Sequence, residues 1–229
     1  EICDSIGRAL FLFLNYAPQQ RRMRVVFISD THNRHPKVVL PAGDLLIHAG
    51  DVSGRGTQKE IEDFLLWFSS HPHQYKIFIA GNHDFFIQQN PQKFKEILPS
   101  NITYLQDELV EIEGKKIYGS PWTPRFMNWA FMKEKGEDIA QVWRQIPNEI
   151  DLLITHGPAF GTLDQIYTGL PVGCEALAKE LGRIKPKYFL FGHIHEAYGV
   201  REKGGITYMN GAVLNERYVL QNEVTVFDL

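Results

Sequence analysis

The chain has 229 residues, 44% of them hydrophobic and 22% charged, with a formal net charge of −3. That length suits one large domain or two small ones, and the balance is that of a globular protein, not a disordered or fibrous one. The charge argues against a broadly electrostatic nucleic-acid binder, and two cysteines, Cys3 and Cys174, exclude a disulfide-dense scaffold or a cysteine-rich zinc module.

Residues 1–22 read as an N-terminal extension before a single domain over residues 23–229. The apolar run from Ala9 to Leu14 is far short of the ~20 residues that cross a bilayer, so no membrane span is expected. It also lacks the basic flank and small-residue cleavage site of a secretory signal, which leaves a cytoplasmic location as the expectation. Met23, just before the first strand, is a candidate natural start. If the run is native, it is the expected contact in a homo-oligomer.

Residues 24–29 form a nearly continuous apolar run, as in a strand buried on both faces. Thr57 and Glu60 have capping-box spacing, and Ile61, Phe64, Leu65 and Phe68 then follow at helical intervals. Strand-like runs recur at 44–49, 75–80, 151–155 and 187–191. Between 101 and 119 the rhythm changes, and runs at 102–105, 109–112 and 116–118 read as antiparallel strands with a turn at Glu113-Gly114. Ile139, Val142, Trp143 and Ile146 mark a second helix closed by Pro147. A third runs from 173 to 181 and is expected to stop at Gly182. Strands at 206–209 and 223–227 complete an α/β domain with two sheets and helices outside.

The apolar strands end in a particular kind of residue. Ser29 leads into Asp30-Thr31-His32-Asn33, Ala49 into Gly50-Asp51, and Ala80 into Gly81-Asn82-His83-Asp84. Thr155 leads into His156-Gly157, and Phe191 into Gly192-His193-Ile194-His195. Ligands of parallel α/β sheets gather at the carboxyl ends of strands, so five loops are expected to converge. Carboxylate, amide oxygen and imidazole without thiolate suit Mn, Fe, Co, Ni or Zn. The donors are too many for one tetrahedral ion, and two metals ~3.5–4 Å apart would polarise a phosphoryl group and activate water. His35, His71 and His73 are assigned to exposed or hydrogen-bonded loop positions beside prolines, and His48 to packing or hydrogen bonding within a strand. Trp122, Phe126, Trp129 and Phe131 either wall the site, with Arg125 or Asn33 near a phosphate, or close the core. Cys174 reads as a buried helix residue.

Together the blocks DxH, GD, GNHD, H and GHxH resemble the calcineurin-like metallophosphoesterase superfamily. Residues 28–32, 79–83, 119–124, 155–158, 172–174 and 191–199 are further similar to its metallophosphoesterase-domain-containing (MPPED-type) branch, related to class III cyclic-nucleotide phosphodiesterases. The resemblance implies a four-layer α/β sandwich of two mixed β-sheets flanked by helices. It implies a hydrolase of small organic phosphodiesters, cyclic nucleotides among them, in which a hydroxide bridging two divalent ions attacks phosphorus. Manganese is the first expectation, with iron, cobalt or zinc as alternatives. One metal would take Asp30, His32, Asp51 and His195, the other Asp51, Asn82, His156 and His193. Some animal members of the branch carry Gly where this chain has His193, so both metals are expected here. His83 would face the substrate, oriented by Asp84. A phosphomonoesterase or nuclease on the same centre is the alternative, and polynucleotide is the poorer substrate because basic tracts are short. A weakly catalytic metal-binding scaffold is a third reading, disfavoured by the intact His83 and His193.

Overall fold

The computed structural model describes residues 22–229, so the expectations for the N-terminal extension and Cys3 lie outside the described residues. Strands β1 (Arg24–Ile28), β2 (Leu45–His48), β3 (Tyr75–Phe78) and β4 (Thr103–Tyr104) pair in parallel, and β13 (Thr225–Asp228) adds antiparallel to β1. A six-stranded second sheet is built from β5 (Glu108–Ile112), β6 (Lys115–Ser120), β9 (Leu152–Thr155), β10 (Tyr188–Phe191), β11 (Gly199–Lys203) and β12 (Ile206–Asn210). Its order is β11-β12-β10-β9-β6-β5, with parallel pairing from β12 through β6. The short pair β7 (Thr123–Pro124) and β8 (Met132–Lys133) stands apart.

Strand alternation decides which residues meet. Val25, Phe27, Leu45, Ile47 and Ile77 of the first sheet interleave with Ile117, Leu152, Ile154, Leu190 and Met209 of the second, forming the sandwich interior. On the outer face of the first sheet, Val26, Leu46 and Phe78 receive Ile61, Phe64, Leu65 and Phe68 of α1 (Gln58–Ser70). The short helices α2 (Phe85–Gln89) and α3 (Pro91–Ile97) add Phe86, Ile87 and Phe94 there. Leu153, Phe189 and Phe191 of the second sheet are covered by α4 (Glu137–Arg144) and α5 (Glu175–Ile184). These are the four layers expected, and each such aliphatic or aromatic side chain withdrawn from water contributes about 1.5–3 kcal/mol.

Some local expectations are corrected. β4 is not part of an antiparallel meander but extends the first sheet in parallel with β3, whereas β5 and β6 form the expected hairpin in the second. The third helix runs through Gly182, because Ile184 continues its buried face. It stops at Lys185, which takes the left-handed conformation (φ +47°) before Pro186. Cys174 is its N-cap, its sulfur accepting hydrogen bonds from the Leu177 amide and the Trp143 indole. Thr57 and Glu60 make the reciprocal capping box at the start of α1.

His48, at the end of β2, is fully buried on the helix side of the first sheet. Gly50 N donates to its Nδ1, so Nε2 carries the proton and donates to Thr31 Oγ1. The ring thereby ties the loop after β1 to the loop after β2. Burial pushes its pKa down to about 3, so it is neutral when folded, while the unfolded chain titrates near 6.5. Protonation therefore favours unfolding. The stability it contributes is complete above about pH 6.5 and declines as pH falls toward about 3. Between pH 7 and 4.5 this ring should lower unfolding free energy by about 2–3 kcal/mol, and His48→Gln should flatten that part of the profile. Urea midpoints of metal-free protein across this pH range check it; an equally steep profile in the variant would contradict the assignment.

Candidate metal centre

Hydrogen bonds bring the ends of β1, β2 and β3 beside the ends of β9 and β10. Ser29 N donates to Gly211 O and Gly211 N to Phe191 O, so residues 211–213 stitch the two sheets together at this edge. Asp30 N donates to Gly50 O and His32 N to Asp51 O, locking the first two loops. Asp30, His32, Asp51 and His193 adopt φ of +56°, +37°, +55° and +70°, the left-handed region that side chains other than glycine seldom enter. Asp, Asn and His tolerate it best, and such conformations persist only where surrounding bonds impose them.

The expected ligand residues come together. Asp30, His32 and His195 place ligand atoms within 4.8 Å of one another, as do Asp51, His156 and His193. A third set, His32, Asp51 and His83, joins the two. Asp30, Asp51, Asn82 and His156 are no more than 3% exposed. Asp51 Oδ1 accepts the His83 amide, which leaves Oδ2 facing His156 Nε2 at 3.3 Å and His32 Nε2 at 3.6 Å. Asp30 accepts the His193 amide and lies 3.5 Å from His195 Nε2 through Oδ1. Asn82 Oδ1 is 3.0 Å from His156 Nε2.

The histidine tautomers are set from behind. Nδ1 of His32, His156 and His195 lies 3.2, 2.9 and 3.0 Å from the carbonyls of Ser53, Ala49 and Asn215. A carbonyl can only accept, so each Nδ1 carries hydrogen and each neutral ring turns an Nε2 lone pair toward the carboxylates. Lone pairs of nitrogen and carboxylate then converge in a buried space. His32 Nε2 is buried without a hydrogen-bond partner among the described residues. That arrangement is repulsive until a cation enters, and this donor set fits a divalent metal. Protons are the competing cation. Burial opposes charging of His156 and His195, yet the Asp51 and Asp30 carboxylates reverse this and raise both to about 9. The same pairings hold Asp30 and Asp51 below the ordinary carboxylate range despite burial. His193 is pushed down to about 3 by burial and by His156.

His83 is half-buried at the edge of this cluster, stacked on Trp129 with ring centroids 4.4 Å apart. Its Nδ1 lies 2.9 Å from Gly54 O. Asp84 therefore does not orient it, which corrects the expected role. The Asp84 carboxylate is fully buried and accepts from the amides of Gly81, Val52 and Ser53 and from Ser53 Oγ. Burial, then Asp51, pushes its pKa up to about 6. It clamps the loop carrying Asp51 to the loop carrying Asn82.

The three expected substrate contacts are engaged elsewhere. Asn33 Nδ2 donates to Glu60 Oε1, Trp122 Nε1 donates to Asp107 Oδ2 beneath Lys133, and Arg125 pairs with Glu134. Trp122 and Phe131 pack together, as core closure requires. Phe126 instead lies 5.5 Å from the His193 ring, so with Trp129 it is the part of that segment that borders the centre. Tyr218, packed on His32 and His195, was not read from sequence, because it sits in a polar loop far from any of the five motifs. His48 and His73 are buried and hydrogen-bonded, as expected, whereas His35 is not an exposed loop residue but packs against Phe64 and Trp67.

Asp84→Ala would strand three buried amides and should cost roughly 3–5 kcal/mol; Asp84→Asn, keeping one acceptor oxygen, should cost less. Urea unfolding measures this, and an alanine variant as stable as the parent would contradict the clamp.

Comparison with known proteins shows the family. The calcineurin-like phosphoesterase family model matches residues 23–197. Human metallophosphoesterase domain-containing protein 1 is 39% identical over 230 residues, covering 90% of this chain and 71% of that protein. A UPF0046 protein of Caenorhabditis elegans is 37% identical over 218 residues, covering 90% of this chain and 74% of its own length. TT1561 of Thermus thermophilus superposes with a TM-score of 0.60 at 11% identity, over 91% of this chain and 99% of that one, which speaks to the fold alone. No described helix is long and apolar enough to cross a membrane. With the family model spanning most of the domain and the motif residues gathered at one edge, the chain belongs to the calcineurin-like phosphoesterases.

Proposed function

We propose that this chain is a phosphodiesterase that uses two divalent cations, manganese first among them, on small organic phosphodiesters such as cyclic nucleotides. The observation that carries this reading is Asp51 Oδ2, one oxygen facing an imidazole from each of the two ligand sets. Asp30, His32, Asp51 and His195 would hold one ion; Asp51, Asn82, His156 and His193 would hold the other. Divalent ions there supply Lewis acidity to phosphoryl oxygens and a lowered pKa for coordinated water.

The remaining work falls to side chains at the rim. His83 is more open than the buried ligands, which suits a group that meets substrate. With Nδ1 committed to Gly54 O, any proton it gives to a leaving oxygen must come from Nε2. Trp129 and Gly54 fix that ring in two directions, so its aim does not depend on substrate. Phe126 and Trp129 offer apolar surface to a flat ester group.

Bis-p-nitrophenyl phosphate should be hydrolysed in preference to p-nitrophenyl phosphate when Mn, Co, Zn and Mg are compared. Asp51→Ala should lose bound metal and turnover together. His83→Ala should keep its metal and lose kcat by about 10²–10⁴. Metal analysis with steady-state kinetics decides; a fully active His83→Ala protein removes that role, and monoester preference overturns the diester assignment.

A further inference from the structure

The ring of Tyr218 stands edge-on to two ligand candidates at once, 4.9 Å from the His32 ring and 5.2 Å from that of His195. It is nevertheless 47% exposed. Its backbone is left-handed, φ +57°, which is uncommon for an aromatic residue and costs energy wherever nothing imposes it. Asn215 imposes it. Asn215 Oδ1 accepts from the amides of Arg217 and Val219, Asn215 N donates to Val219 O, and Asn215 O accepts from Tyr218 N at 2.9 Å. That same carbonyl accepts from His195 Nδ1 at 3.0 Å. One oxygen thus sets Tyr218 and a candidate ligand in register.

A strained turn thus holds a half-exposed phenol against the centre. The hydroxyl has no hydrogen-bond partner among the described residues. We propose that Tyr218 is a substrate-contacting residue, its hydroxyl donating a hydrogen bond to a phosphoryl oxygen held over the Asp30, His32 and His195 cluster. The assignment rests on the phosphoesterase reading of the site. Tyr218 thus borders His32 and His195, whereas Trp129 and Phe126 contact His83 and His193. The polar tip would then recognise phosphate, while the other two rings meet the ester group.

The test compares the metal-loaded parent with Tyr218→Phe and Tyr218→Ala, recording metal content, kcat/KM on bis-p-nitrophenyl phosphate, and the Kd of inorganic phosphate by calorimetry. Loss of one hydrogen bond to a charged oxygen should lower kcat/KM and weaken phosphate about tenfold or more in Tyr218→Phe, with metal content unchanged. Tyr218→Phe within twofold of the parent on both readouts overturns the proposal, including when only Tyr218→Ala is impaired. A parent that hydrolyses no phosphoester defeats the functional reading, and phosphate affinity then decides Tyr218 alone. A parent that neither hydrolyses a phosphoester nor binds phosphate overturns both.

Discussion

The structure is organised around an electrostatic problem, the convergence of carboxylates and imidazole lone pairs in a space nearly closed to water. Asp51 shows how it is held. Its Oδ1 is taken by the His83 amide, which fixes the plane of the carboxylate and leaves Oδ2 between His32 and His156. Each of those rings is braced from behind by a backbone carbonyl, so none can turn to relieve the repulsion. The fold stores this arrangement in its loops, and a positive charge, proton or metal, relaxes it.

Close approach is the second condition. A β-carbon on Gly192 would come within 1.9 Å of Asp30 Oδ2, and one on Gly81 within 2.2 Å of Asp51 Oδ1. Both carboxylates therefore rest in notches that only glycine leaves. The Gly beside the His and Asn ligands in the motifs is thus a steric requirement of the carboxylates, quite apart from any contact with substrate.

The convergence of the candidate ligands was legible in the sequence because each motif follows an apolar strand, and parallel pairing then aligns the strand ends. The layers were legible for the same reason, as alternation assigns faces. What escaped has physical causes. Asp84 sits beside His83 in sequence, but its carboxylate accepts from Gly81 and from Val52 and Ser53 some thirty residues back, while His83 bonds Gly54 O. The strand at 103–104 carries no mark of direction, which its partner β3 supplies. Tyr218 belongs to a turn with no periodicity, and only the Asn215 hydrogen bonds reveal why it faces inward.

The stitch at residues 211–213 has a consequence for the centre. Ser29, next to the first ligand, bonds Gly211 and Val213, and β13 closes the outer side of β1. The carbonyl that orients His195 comes from Asn215. All five ligand motifs are already synthesised by residue 195, yet the segments that bring them into register follow later. The centre therefore depends on residues 211–215, well beyond the last motif, to hold its candidate ligands in register.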